Sequence, residues 1–187
     1  MLLYLVRHGI AVDRVPQGAT RAVSRGEARG HLPTANAGHE VMTDAERPLT
    51  LRGRKRARAA AEGLRALGAK PDAVLSSPLV RAEQTAKLFA QAFDFPAGDI
   101  RLTDALKSSG VPADLLRELG KLGANEVMCF GHEPHLSHVI AYILHSRNTG
   151  TELRRAGVAC FELKTLSPPS GLLVGLYPAK ALRMMGK

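Results

Sequence analysis

A chain of 187 residues, 45% of them apolar, carries 26 Lys and Arg against 17 Asp and Glu, for a formal charge of +9. That is enough sequence to bury one sizeable core in a single domain, and no run approaches the ~18 consecutive apolar residues of a membrane span. No charged segment followed by an apolar signal region opens it, so the expected setting is cytoplasmic, with no membrane contact. The basic balance favours anionic partners without choosing among phosphorylated substrates, nucleic acid and acidic proteins.

In chain order, Leu2–Val6 reads as the first strand, apolar throughout as a strand covered on both faces should be, and it runs straight into Arg7, His8 and Gly9. Residues 13–47 are rich in Gly, Arg and Ala and keep no period; they read as a long basic loop insertion. Helical spacing of apolar residues follows over Thr50–Leu67, then a short strand over Ala73–Leu75 and a second helix over Pro78–Phe93. Ala113–Leu122 gives a third helix, Glu126–Phe130 a strand, and Pro134–His145 a fourth helix. Val158–Leu163 and Leu172–Leu176 close the series as strands. This alternation predicts one α/β domain over residues 1–187, with a mostly parallel central sheet covered by helices on both faces.

In such sheets ligands bind beyond the carboxyl ends of the strands. Three strand ends deliver chemistry there: Arg7 and His8 after the first strand, Arg81 in "SSPLVRAEQT" after the second, and His132 in "GHEPHLS" after the strand at 126–130. Two arginines and two histidines converging with no metal-ligand spacing describe a phosphate site, because a guanidinium forks onto two phosphate oxygens and an imidazole can be nucleophile, donor or base. Ser77 suits a helix N-cap rather than a nucleophile, and Pro78 suits the first helical position. His132, His135 and His138 drift around a helix at i, i+3, i+6, so no metal is expected. Cys129 and Cys160 lie in apolar runs without CxxC spacing and read as buried thiols.

"LVRHG" at 5–9, "SSPLVRAEQT" at 76–85 and "GH" at 131–132 together resemble the histidine phosphatase superfamily, also called the phosphoglycerate mutase-like family. "YLVRHGIA", "RPLTLRG" at 47–53 and "GHEPHLS" at 131–137 are most similar to its SixA-type phosphohistidine phosphatases, and the likeness reaches "YPAKALR" at 177–183. The resemblance implies a covalent mechanism without metal or other cofactor. His8 would take the phosphoryl group from substrate and water would release it, while Arg7, Arg81 and His132 bind the phosphate oxygens.

The proton donor is open at this stage. Members acting on phosphate esters use a carboxylate after another strand or beside the second histidine, and the candidates here are Asp104 in "RLTDALKSSG" and Glu133 in "GHE". Neither position matches the family pattern, and Ile10 and Ala11 replace the residues that follow Arg-His-Gly in the mutases. A site with a weak acid suits phosphohistidine, whose leaving imidazole has an ordinary pKa near 6.5 and needs little protonation. The first expectation is therefore a phosphatase of protein phosphohistidine; the alternative within the family is a small-molecule phosphomonoesterase. An alternative from another class is nucleic-acid binding through Arg52, Arg54, Lys55, Arg56 and Arg58 with Arg14, Arg21, Arg25 and Arg29 of the insertion. These cations read better as a solvated face or a funnel for anionic substrate, since no aromatic side chain interleaves them as a stacking platform. His31 and His39 ride the insertion as candidate neighbours of the site, and His145 reads as a surface residue.

Overall fold

The computed structural model describes residues 1–13, 42–148 and 150–186. Six strands form one sheet, β1 (Leu2–Arg7), β2 (Ala73–Ser76), β3 (Arg101–Leu102), β4 (Glu126–Gly131), β5 (Val158–Leu166) and β6 (Pro169–Tyr177), in the order β3-β2-β4-β1-β5-β6. The pairs β2/β3, β2/β4 and β1/β4 are parallel, whereas β5 is antiparallel to both β1 and β6. The mostly parallel α/β sheet expected from the sequence is thus present, with β3 as a strand too short to show a pattern. Around it lie α1 (Leu51–Ala66), α2 (Val80–Ala92), α3 (Pro112–Leu119), α4 (His135–Ile143) and α5 (Ala179–Met185).

The two faces follow from the two-residue period of the strands. Leu3 and Leu5 of β1, with Val127 and Cys129 of β4, pack into one apolar cluster with Leu115 and Leu119 of α3 and Leu136 and Val139 of α4. Tyr4 and Val6, with Met128 and Phe130, pack on the other face against Ala57, Ala60 and Leu64 of α1, Phe89 of α2 and Leu182 of α5. Phe89 meets Phe130 edge to face at 5.1 Å. Each such large side chain contributes about 1.5–3 kcal/mol by leaving water. Both thiols are buried and free. No helix among the described residues is long and apolar enough to cross a membrane.

Helix α1 begins where Thr50 caps it, its Oγ1 accepting from the Gly53 amide at 2.9 Å. Two glycines on α1 bring backbones together. A Cβ at Gly53 would collide with the Ile10 carbonyl, just past His8, and one at Gly63 would collide with the Leu182 backbone of α5. Ala11 bridges Leu49, the Val12 amide donates to the Pro48 carbonyl and the Arg47 Nη1 to the Val12 carbonyl, so the two ends of the 13–47 segment are tied together at its base. The cations Arg14, Arg21, Arg25 and Arg29 expected of the insertion, with His31 and His39, lie outside the described residues.

Two local expectations are corrected. Helix α2 starts at Val80 with Leu79 as a cap that makes no side-chain bond, not at Pro78 behind a Ser77 cap. The Ser77 hydroxyl is instead engaged with His132. The last helix, α5, has only seven residues and was not anticipated as a helix.

Candidate active site

Strand register assembles the site. Arg7 stands opposite Gly131 and Ser76 opposite Phe130, so the residues that follow each strand, His8, His132 and Ser77, emerge side by side at the carboxyl edge. The His8 amide donates to the Gly131 carbonyl and the Ser77 amide to the Phe130 carbonyl, extending the ladder into the site itself. The His8 and His132 ring centroids are 5.0 Å apart.

His8 is held in one tautomer. Its Nδ1 lies 2.7 Å from the Gly9 carbonyl, which can only accept, so Nδ1 carries the proton and Nε2 keeps its lone pair. That nitrogen has no hydrogen-bond partner among the described residues. Burial, opposed by the Gly9 contact and reinforced by the charges of Arg81, Arg7 and Arg155, pushes the His8 pKa down to about 4. The ring is therefore neutral throughout the physiological range, with the Nε2 lone pair available. Gly9 is fixed in turn, because its amide donates to Thr85 Oγ1 at 3.0 Å and that hydroxyl donates to the Arg81 carbonyl at 2.7 Å.

His132 is almost fully buried, and burial, then the neighbouring His8 and Arg81, pushes its pKa down to about 3. Its Nε2 is 2.9 Å from Ser77 Oγ, which also receives the Leu79 amide at 3.4 Å. Nδ1 is buried and has no partner among the described residues, and it carries the ring proton in the tautomer in which Ser77 donates to Nε2. A donor left in that state is suited to a phosphate oxygen.

The two arginines are positioned by different devices. Arg7 Nη1 donates to the Leu153 carbonyl at 2.6 Å and to Glu152 Oε1 at 2.9 Å, both in the loop before β5. Arg81, 4% exposed, donates Nη1 to the Asp44 carbonyl at 2.6 Å and Nη2 to Asp44 Oδ2 at 3.0 Å. The carboxyl end of the insertion therefore reaches into the site, and Asp44 also lies 3.0 Å from Arg47 Nε.

The two candidate proton donors are placed differently. The Asp104 side chain, 77% exposed, pairs with Lys107 at 2.8 Å. It lines a groove with residues of α3 rather than with His8. Glu133 is engaged three times, Oε1 accepting from the Leu153 amide at 2.8 Å and Oε2 from the Ser137 amide at 3.2 Å and, at 2.7 Å, from the Ser137 hydroxyl, whose one proton is shared with the Thr151 carbonyl at 2.6 Å. Since the Leu153 carbonyl holds Arg7, Glu133 acts on the loop that aims that guanidinium. His135 is fully buried beside the Ala105 and Gly110 carbonyls, with burial pushing its pKa down, whereas His138 and His145 are at the surface. Among the described residues no three His, Cys, Asp or Glu side chains are grouped to hold a metal ion.

Sequence reasoning missed Thr85, Glu152, Arg155 and Asp44. Thr85 had a signal, lying four residues after Arg81 and so on the same helix face. Glu152 and Arg155 had none, because the antiparallel course of β5 that brings its loop to this edge is not written in a local pattern, and Asp44 had none because it lies at the end of the aperiodic 13–47 segment.

A neutral imidazole with one open nitrogen, two arginines and a second histidine are thus brought together at the carboxyl edge of the sheet. A sequence profile described as the histidine phosphatase superfamily (branch 1) matches residues 3–108, and the chain belongs to that family. An uncharacterized protein of Picosynechococcus is 35% identical over 92 residues, 49% of this chain and 41% of the relative, so the match spans less than half of that curated protein's length. The protein histidine phosphatase SixA, solved with tungstate, superposes with a TM-score of 0.72 at 22% identity, covering 97% of this chain and 99% of SixA. A mycobacterial glucosyl-3-phosphoglycerate phosphatase, solved with inorganic phosphate, gives 0.64 at 16% identity over 96% and 98%. Likeness at these identities establishes the shared fold.

Proposed function

We propose that this protein is a metal-independent phosphatase that acts through a covalent phosphohistidine on His8, and that its substrate is phosphohistidine in another protein. The observation that carries the reading is the locked tautomer, Nδ1–H on the Gly9 carbonyl and Nε2 without a partner among the described residues, with the His132 ring 5.0 Å away and the charges of Arg81 and Arg7 acting on the ring. Nε2 attacks phosphorus in line with the substrate nitrogen. The P–Nε2 bond forms as the substrate P–N bond breaks, the substrate ring, already protonated on its other nitrogen, leaves as neutral imidazole, and the arginines and His132 carry the charge on the three equatorial oxygens. A water molecule then attacks phosphorus, inorganic phosphate leaves, and the electron pair returns to Nε2. Support for a nitrogen leaving group comes from the carboxylates: Glu133 is tied up by three hydrogen bonds and Asp104 is ion-paired at the surface. The alternative, a small-molecule phosphomonoesterase, draws on a cavity of about 440 Å³ beside Arg7.

The test is turnover on a phosphohistidine peptide, free phosphohistidine and a panel of phosphate esters, each with and without EDTA. Expected is a kcat/KM highest for the peptide and insensitive to chelator. Asp104→Asn should leave kcat on the peptide within about twofold, whereas general-acid removal would cost about 10²-fold or more on an ester. Glu133→Gln should cost more than Asp104→Asn on every substrate, because it loosens Leu153 and with it Arg7. Faster turnover of an ester, with a 10²-fold kcat loss in Asp104→Asn, would transfer the assignment to the phosphomonoesterase.

The lowered His8 pKa sets the pH profile. Only the neutral ring attacks, and the pKa lies below the ordinary 6.5, so kcat/KM corrected for substrate titration should stay flat from pH 8 to 5 and fall as pH drops through about 4. A fall centred near 6.5 would mean that the ring is not buried as described.

A further inference from the structure

The antiparallel strands bring more than a loop to the site. β5 begins and β6 ends at the same edge as Arg7, with Val158 opposite both Val6 and Tyr177, so residues 150–157 and the start of α5 converge on it. Between them and α1 runs a groove of about 440 Å³ that opens directly from Arg7 and Gly9. Its cations come from three elements: Arg56 of α1, Arg154 and Arg155 of the loop, and Lys180 and Arg183 of α5. None of the five enters an ion pair among the described residues, and the one carboxylate in the lining, Glu152, is bound to Arg7. The Arg56 pKa is lowered, first by lost hydration and then by Arg52 and Arg183, which shows how closely these charges crowd. The Arg155 charge is also felt at His8.

We infer that this groove is the docking site for acidic side chains flanking the phosphohistidine of the substrate protein. The inference rests on the phosphohistidine reading above and deepens it. Five unpartnered cations spread over three elements match a row of carboxylates along a protein surface. A compact polyphosphate would instead call for donors converging on one point, and a single-stranded nucleic acid for stacking side chains, of which the groove has none. Long-range attraction of this kind acts mainly on encounter, so it should appear in kcat/KM and depend on salt.

The experiment uses two helical peptides, each carrying one phosphohistidine, flanked at i+4, i+7 and i+8 by glutamates in one and by glutamines in the other. Wild type should prefer the glutamate peptide about tenfold in kcat/KM at low salt, through KM, with the preference shrinking toward twofold at 0.5 M salt. Arg56→Glu with Lys180→Glu and Arg183→Glu should abolish or invert that preference. A triple variant of equal charge change at the opposite edge, Arg65→Glu, Lys70→Glu and Lys164→Glu, should retain it. Lys180→Gln alone, at an exposed position, should reduce the preference about twofold and covers the case in which the triple groove variant does not fold. Equal kcat/KM on the two peptides in wild type, or the same loss of preference in both triple variants, overturns the groove while leaving the phosphohistidine reading intact. Wild type that hydrolyses esters but neither peptide overturns both.

Discussion

Replacing His8 with alanine is expected to lower turnover by at least about 10⁴-fold on every substrate, with the fold retained. The size follows from the nature of the step: without Nε2 there is no atom to receive phosphorus, and the remaining arginines can only bind the group. Retention of the fold follows from the environment, since the side chain's one hydrogen bond is to the carbonyl of its own neighbour, Gly9. Two measurements check this. Thermal melting of His8→Ala should match wild type closely, and wild type quenched without acid during turnover of labelled substrate should carry the label on the peptide containing His8. Label on Ser77 or Asp104, or turnover by His8→Ala within tenfold of wild type, would refute the covalent route.

The second large effect is expected from Arg7→Lys and Arg81→Lys, each about 10²- to 10³-fold in kcat although the charge is kept. A lysine ammonium is a point donor that cannot fork onto two phosphate oxygens. The two positions should nevertheless differ. Arg7 is aimed by the Leu153 carbonyl and by Glu152, which is largely exposed, so Arg7→Lys loses fork geometry in a site that stays open. Arg81 is nearly buried and held by both the carbonyl and carboxylate of Asp44, so Arg81→Lys also withdraws a contact that fixes the end of the insertion. Arg81→Lys should therefore lower both kcat and the melting temperature, while Arg7→Lys lowers kcat alone. Inhibition constants for vanadate should rise in both variants, and unchanged vanadate binding in either would remove that arginine from the phosphate site.

Much of this was legible in the sequence because the informative residues sit where one local rule ends and another begins. A strand such as Leu2–Val6 is apolar on both faces, so the first charged residue after it marks the carboxyl edge. Three such boundaries named Arg7, His8, Arg81 and His132. What the sequence could not carry was direction across the sheet. A strand reads the same whether it runs parallel or antiparallel, and it is the reversal of β5 against β1, with β6 turning back again, that brings Glu152, Arg154, Arg155 and Lys180 to this edge. Hydrogen-bond commitments were equally silent. Glu133 beside His132 has the composition of an acid, and only its three bonds reveal a carboxylate occupied in holding a loop. Ser77 misled for the same reason, since serine before proline suits a cap as well as it suits a partner for His132.

The glycine at 63 has a consequence for selectivity. Because α1 meets α5 there backbone to backbone, with the Leu182 carbonyl lying where a side chain would otherwise stand, no rotamer change can alter the distance between the two helices. Arg56 and Arg183, which line the same groove, thus ride on two helices whose approach is set by backbone rather than by interdigitating side chains. A rigid gap has little order left to lose on association, which favours tight recognition of anions at the matching spacing. In the docking proposed above, such a gap would penalise any other spacing, so that the interval between the glutamates, more than their number, would set the preference.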